Sequence, residues 1–235
     1  MDWQGFVGQL EQKVDWYSPT FMIDEAPIVE SLLRAAFTDY SIVAERLDSI
    51  LGDTNVYGSL EPYIEYPRTL MDKFTIYVAP GDLFRVRLHR FWPRCIAGNA
   101  IEKVHYHKWH MSTIILSGEY IERRFTIEDC DEMSKVATLA EYEKVGRVAG
   151  QATSLPAKNP HQVHNPSEST PCLTLFVRGP SIQAHARIFN EATGNYYDTF
   201  SPTPQRRHAL SRLKALDGNF HPMPESANQI DEVAS

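Results

Sequence analysis

The sequence predicts a mostly β fold preceded by α-helices, and three observations carry that expectation. From Tyr66 onward, short runs of alternating apolar and polar residues recur at close spacing. Turn-forming residues bound each run, and the stretch before Tyr66 has a helical period instead. Many short strands of this kind imply a sandwich or a barrel.

The helices come first. Ile28, Leu32, Leu33, Ala36 and Tyr40 fall at helical spacing, and Val43, Leu47 and Ile50 continue the pattern after Ser41. Asp24 and Glu25 ahead of Pro27 make a reasonable helix start, and Gly52 closes the second helix. The prediction is a pair of helices over residues 26–51, followed by a polar connection through Gly58 and Pro62.

The strands follow at residues 74–78, 84–88, 113–116 and 120–125, separated by turn formers such as Pro80-Gly81-Asp82, Gly98-Asn99 and Ser117-Gly118. Asp129, Asp131 and Glu132 interrupt the pattern, which resumes at 152–155, 162–164 and 173–177. Alternation in Arg85-Val86-Arg87-Leu88 reads as a strand whose arginine face is in water. The end of the chain is polar, with Pro222 and Pro224, and is expected to be loosely docked. The organisation expected is a helical extension over 1–65, a β domain over 66–211 and a tail over 212–235.

Composition excludes several classes. A net charge of -7 leaves no basic excess to neutralise phosphates, so a general nucleic-acid binder is not expected. Cys95, Cys130 and Cys172 are too few and too scattered for a disulfide framework or a zinc knuckle, and an odd count fits a reducing compartment. The opening Met1-Asp2-Trp3-Gln4 lacks the basic start of a secretion signal. No run approaches the ~20 apolar residues of a membrane helix. A soluble, cytoplasmic protein is expected.

The chemistry gathers in histidines. In Val104-His105-Tyr106-His107, two residues apart on a strand, His105 and His107 point to the same side. A second group, His161-Gln162-Val163-His164, can supply one more imidazole and complete a three-nitrogen face. His164 should face away from it. Neutral imidazoles suit iron, copper, nickel and zinc alike, so the ligands do not choose the metal. His110 reads as a base behind the ligands or as a surface residue, the first being favoured, and His185, His208 and His221 carry no spacing signal.

These residues resemble the cupins, whose first motif is His-x-His, an acidic residue and a glycine, and whose second is a histidine followed by an asparagine. His105, His107, Gly118, His161 and Asn165 stand in those places. Trp109, His110, Met111 and Ser112 fill the region of the acidic ligand. That absence resembles the thiol dioxygenases, whose iron is held by three histidines alone. Tyr66-x-Arg68-x-Leu70 is similar to a cysteine dioxygenase motif whose arginine grips the substrate carboxylate, and His161-x-Val163-x-Asn165 to a second. Gly179-Pro180 and residues 188–194 resemble that family's turn and following hairpin. The likeness runs over roughly residues 28–200.

The departures bear on the substrate. Where that family has serine, histidine and tyrosine after the third ligand, this chain has Thr174, Phe176 and Arg178. Met111 lies where some members have a cysteine cross-linked to the tyrosine, so no thioether forms. The resemblance implies a cupin (jelly-roll) barrel holding Fe(II) on His105, His107 and His161. It also implies an oxygenase using O2 on a small carboxylate-bearing substrate other than cysteine. Arg68 or Arg178 would hold the carboxylate, and Tyr66 or Tyr106 would supply a hydroxyl. The alternatives are an oxygen-independent metal cupin, an isomerase or lyase, and a non-catalytic cupin that binds a small molecule.

Overall fold

A computed structural model describes residues 1–200. The tail expected over 212–235, the boundary at 211, His208 and His221 lie outside the described residues. Five helices open the chain: α1 (Trp3–Lys13), α2 (Phe21–Asp24), α3 (Ala26–Thr38), α4 (Ser41–Gly52) and α5 (Thr54–Leu60). The predicted pair corresponds to α3 and α4. The sequence reading missed α1, whose Trp3, Phe6, Val7 and Leu10 are buried at helical spacing and whose first turn is capped by Asp2, accepting from Gly5 N at 2.7 Å.

The rest is a two-sheet barrel of antiparallel strands, as expected of a cupin. It comprises β1 (Met71–Val78), β2 (Arg85–Phe91), β3 (His105–Tyr106), β4 (Met111–Ser117), β5 (Glu119–Asp131), β6 (Val136–Val148), β7 (Ala152–Leu155), β8 (His161–His164), β9 (Cys172–Arg178), β10 (His185–Phe189) and β11 (Tyr196–Phe200), with the short α6 (Arg94–Ala97) after β2. One sheet has the order β1-β2-β9-β4-β7 and the other β11-β10-β3-β8-β5-β6. Asp129, Asp131 and Glu132 do not interrupt the strands. They lie at the far end of a long β5–β6 hairpin.

The five-stranded sheet has its apolar side outward. Val86, Leu88, Ile114, Leu175 and Val177 leave the barrel and pack with Phe6, Leu10, Val29 and Leu33 of the helices in one buried cluster. Each such side chain contributes about 1.5–3 kcal/mol on burial, so this layer outside the barrel is the main apolar core. The inner side of the same sheet carries Lys73, Arg87, His89, Thr113 and Thr174. This corrects the reading of the β2 arginines: Arg87 faces the barrel interior, and the opposite side of the strand is covered by helices. No helix among the described residues is long and apolar enough to cross a membrane.

Gly118 turns β4 into β5 at φ +76°, where a Cβ would sit 2.7 Å from Pro171 O and 3.0 Å from Cys172 Cα. A side chain there meets backbone as well as an unfavourable dihedral. Gly118→Ala is expected to cost about 1–3 kcal/mol in urea unfolding. An unchanged midpoint would show that the turn relaxes freely.

Candidate metal centre

β3 and β8 pair antiparallel with His105 opposite His161, and His107 follows directly after β3. The period of two and this register bring three imidazoles to one place. One ring nitrogen of each lies within 4.8 Å of the others, and His107 Nε2 is 3.2 Å from His161 Nε2. Two nitrogens bound to one ion at about 2.0–2.1 Å are themselves about 3 Å apart when they occupy neighbouring positions, so this spacing suits a shared metal. His105 Nδ1 lies 2.9 Å from Lys103 O. A carbonyl only accepts, so Nδ1 carries the proton and Nε2 keeps its lone pair. The His107 ring stacks on Trp109 at 5.4 Å and 10°.

Behind His161 sits Glu122 on β5, 1% exposed. Its Oε2 accepts from Arg147 Nε at 2.6 Å and from Arg124 Nη2 at 3.1 Å, and its Oε1 is 3.9 Å from His161 Nδ1. That gap is too long for a direct hydrogen bond, and His161 Nδ1 is a buried atom with no hydrogen-bond partner among the described residues. Burial pushes the His105 and His107 imidazoles below their ordinary range. Glu102 opposes the shift at His105, while at His107 the neighbouring His105 and His161 add to it. Both rings are therefore neutral, as metal ligation requires.

The triad opens on a cavity of about 440 Å³ between the two sheets. Its far wall is the inner face of β1, β2 and β9, with Lys73, Arg87, His89 and Thr174, and Phe91, Met111 and Phe176 supply apolar surface. Burial pushes the Lys73 ammonium down to about 8, opposed by Glu102 and reinforced by Arg68 and Arg87. Burial likewise lowers Arg87 to about 9, with Arg178 and Arg85 contributing, and holds His89 well below the imidazole range.

Of the other residues singled out in the sequence, Arg68 lines this cavity, its guanidinium bonded to Glu65. Tyr66 is 60% exposed and packs on Phe74, outside the cavity wall. Arg178 is 3% exposed, but its Nη2 bonds Asp82 at 2.8 and 3.0 Å and its Nη1 bonds Gly179 O, so the guanidinium sits behind Trp109, 5.1 Å from the ring. His110 stacks on Phe21 of α2 at 4.8 Å, and its Nδ1 accepts from Ala157 N. The Tyr106 hydroxyl lies 3.2 Å from His185 Nε2, in the apolar cluster of Val104, Phe125 and Phe189. The structure thus brings Arg68 to the cavity of the three histidines, and not Tyr66, Tyr106, Arg178 or His110. Sequence reasoning missed Lys73 and His89, placed Arg87 in water, and named Thr174 only as a departure from the resembled family. Their signal was the alternation itself, since Arg87 and His89 share a strand face two residues apart.

No protein-family model matches the sequence, and no curated protein matches it. Among solved structures the chain is similar to an RmlC-like cupin protein from Ralstonia eutropha (12% identity, 68% of this chain and 82% of that one, TM-score 0.38). It is similar to a second R. eutropha protein of unknown function with a cupin-like fold (16% identity, 66% and 82%, TM-score 0.38). A third is the hydroxypropylphosphonic acid epoxidase of S. wedmorenis, of which the chain spans about half (9% identity, 49% and 53%, TM-score 0.38).

Proposed function

We propose that this chain is a non-heme Fe(II)-dependent oxygenase of the cysteine-dioxygenase-like cupin type, acting with O2 on a small carboxylate-bearing molecule other than cysteine. The observation that carries the reading is the ligand set itself: three imidazoles with ring nitrogens within 4.8 Å of one another, without a carboxylate among them, on the wall of a cavity that also holds Arg68, Lys73 and Arg87. His105, His107 and His161 would hold the metal. Bound iron supplies Lewis acidity and open positions for an anionic substrate and dioxygen.

The chain's own side chains prepare that position. Lys103 O fixes the His105 tautomer, Trp109 covers one face of His107, and Glu122 stands behind His161 where an imidazole N–H points. Glu122 is itself held by two guanidinium groups, which leaves it a support and not a fourth ligand. Arg68 brings positive charge to the cavity, with Glu65 as its partner. Phe91, Met111 and Phe176 line the same space with apolar surface, which lowers the local dielectric and strengthens the pull of each charge on an anion.

The test is oxygen uptake by the chain reconstituted anaerobically with Fe(II), against a panel of small carboxylates with and without a thiol. Uptake that requires both iron and one panel member supports the proposal. Turnover that proceeds without oxygen would transfer the site to the isomerase or lyase class, and ligand binding without turnover to the binding-module class.

A further inference from the structure

Three buried polar atoms without a hydrogen-bond partner among the described residues lie side by side on the inner face of one sheet: Arg87 Nε and His89 Nε2 on β2, and Thr174 Oγ1 on β9. The register places His89 directly across from Lys73 on β1 and from Thr174 on β9, and Arg87 across from Phe176. All of these side chains line the cavity that holds the three histidines, on the opposite sheet. Buried polar groups in folded proteins are paired in roughly 90% of cases or more, so three neighbours left open together point to a bound group that completes them.

Arg87 is also unlike its neighbours. Arg85 and Arg178 share Asp82, Arg90 holds Asp72, and Arg68 holds Glu65. No ion pair or hydrogen bond to Arg87 occurs among the described residues. A guanidinium without an ion-pair partner can receive both oxygens of a carboxylate in two parallel N–H···O bonds. His89, 6% exposed and kept neutral by burial and by the nearby Lys73 and Arg87, retains one N–H to donate. Thr174 adds a hydroxyl, and Lys73 a second positive group on the same wall. Next to them stand Phe176, its ring 4.5 Å from His89, and Phe91, with Met111 also on the cavity wall. The cavity of about 440 Å³ lies within the ~300–1,000 Å³ range of pockets that enclose whole organic ligands. That is more space than a carboxylate with a two-carbon body requires.

We propose that Arg87, His89 and Thr174, with Lys73 beside them, form the subsite that anchors the substrate by its carboxylate, and that the substrate is a carboxylic acid with an apolar body extending along Phe91, Met111 and Phe176 toward the three-histidine centre. Arg68 is then an accessory charge and not the anchor. The proposal rests on the reading of this cavity as the substrate site, and not on the metal or the reaction performed there.

Calorimetric titration of the full-length chain, iron-loaded without oxygen and iron-stripped, tests it with four probes: 3-phenylpropionate, the uncharged 3-phenylpropanol, acetate and inorganic phosphate. 3-Phenylpropionate is expected to bind both forms, with the alcohol and acetate each at least about tenfold weaker. Arg87→Gln should weaken 3-phenylpropionate by at least about tenfold while iron content stays at the parent level, and Thr174→Val should weaken it less. Arg87→Leu controls for folding. It removes an unpaired buried charge and should melt no lower than the parent, whereas a clearly lower Tm would make Arg87 a structural residue and overturn the proposal. Equal affinity in Arg87→Gln, equal binding of the alcohol, tighter binding of phosphate, or no binding of any probe each overturns it as well. A chain that takes up no iron but binds 3-phenylpropionate through Arg87 would end the oxygenase reading and leave the subsite standing.

Discussion

Glu122→Ala is expected to lose about 3–5 kcal/mol of folding stability, the scale of breaking a buried ion pair by removing one partner. The carboxylate is the shared acceptor of Arg124 and Arg147, whose side chains are only 14% and 15% exposed, and it also faces His161. Without it two guanidinium groups stay inside the barrel with little compensation. Arg124 keeps Thr153 Oγ1 at 2.6 Å and Glu143 at 3.4 Å, but Arg147 has no other ion pair among the described residues. Burial pushes the Glu122 carboxyl up, yet His161 and Arg124 outweigh it and hold the group at about 2, below its ordinary 4.5. A lowered acid stabilises the fold fully above its unfolded value, so this contribution is present above about pH 4.5 and is lost as pH falls toward 2. Urea unfolding at neutral pH and at pH 3 measures both effects. A loss under about 1 kcal/mol at neutral pH would mean the cluster behaves as an exposed pair.

Removing a ligand should act on the metal instead. His161→Ala and His107→Ala are each expected to lower iron affinity by more than the ~10–100-fold typical of a residue that only supports a ligand. Glu122→Gln should fall within that smaller range. His164→Ala is the control, since that residue lies outside the triad and should leave iron content unchanged. Competition with a chelator, followed by metal analysis, ranks the four variants. Equal retention in His161→Ala and His164→Ala would remove the triad as the site.

The sequence made the three-histidine wall legible because its logic is local. His105 and His107 are two apart at the end of a strand, so periodicity aimed that pair, and the pairing of β3 with β8 brings in His161. The opposite wall was not legible for the same reason. Alternation shows that Arg87 and His89 share one face of β2 and Val86 and Leu88 the other, but it does not say which face looks into the barrel. A polar face normally meets water. Here helices from residues 3–38 cover the apolar face, and the polar one lines a cavity. Arg178 misled in the opposite sense: its strand position suits a cavity residue, but Asp82 lies in the turn before β2, and the ion pair draws the guanidinium away. Nothing in the local pattern around residue 178 reports a partner 96 positions earlier.

The placement of β9 between β2 and β4 has a consequence for how the molecule is made. β2 and β4 have no edge in common until the strand ending at Arg178 arrives to join them. Closing such distant pairings is entropically slow, and a ribosome delivers residues in order. The histidines at 105 and 107 therefore emerge after β1 and β2 but long before His161 and the strand β9 that completes the opposite wall. The ion is expected to enter late, into a nearly finished barrel, so limiting iron during synthesis should leave folded, empty protein that can be loaded afterwards.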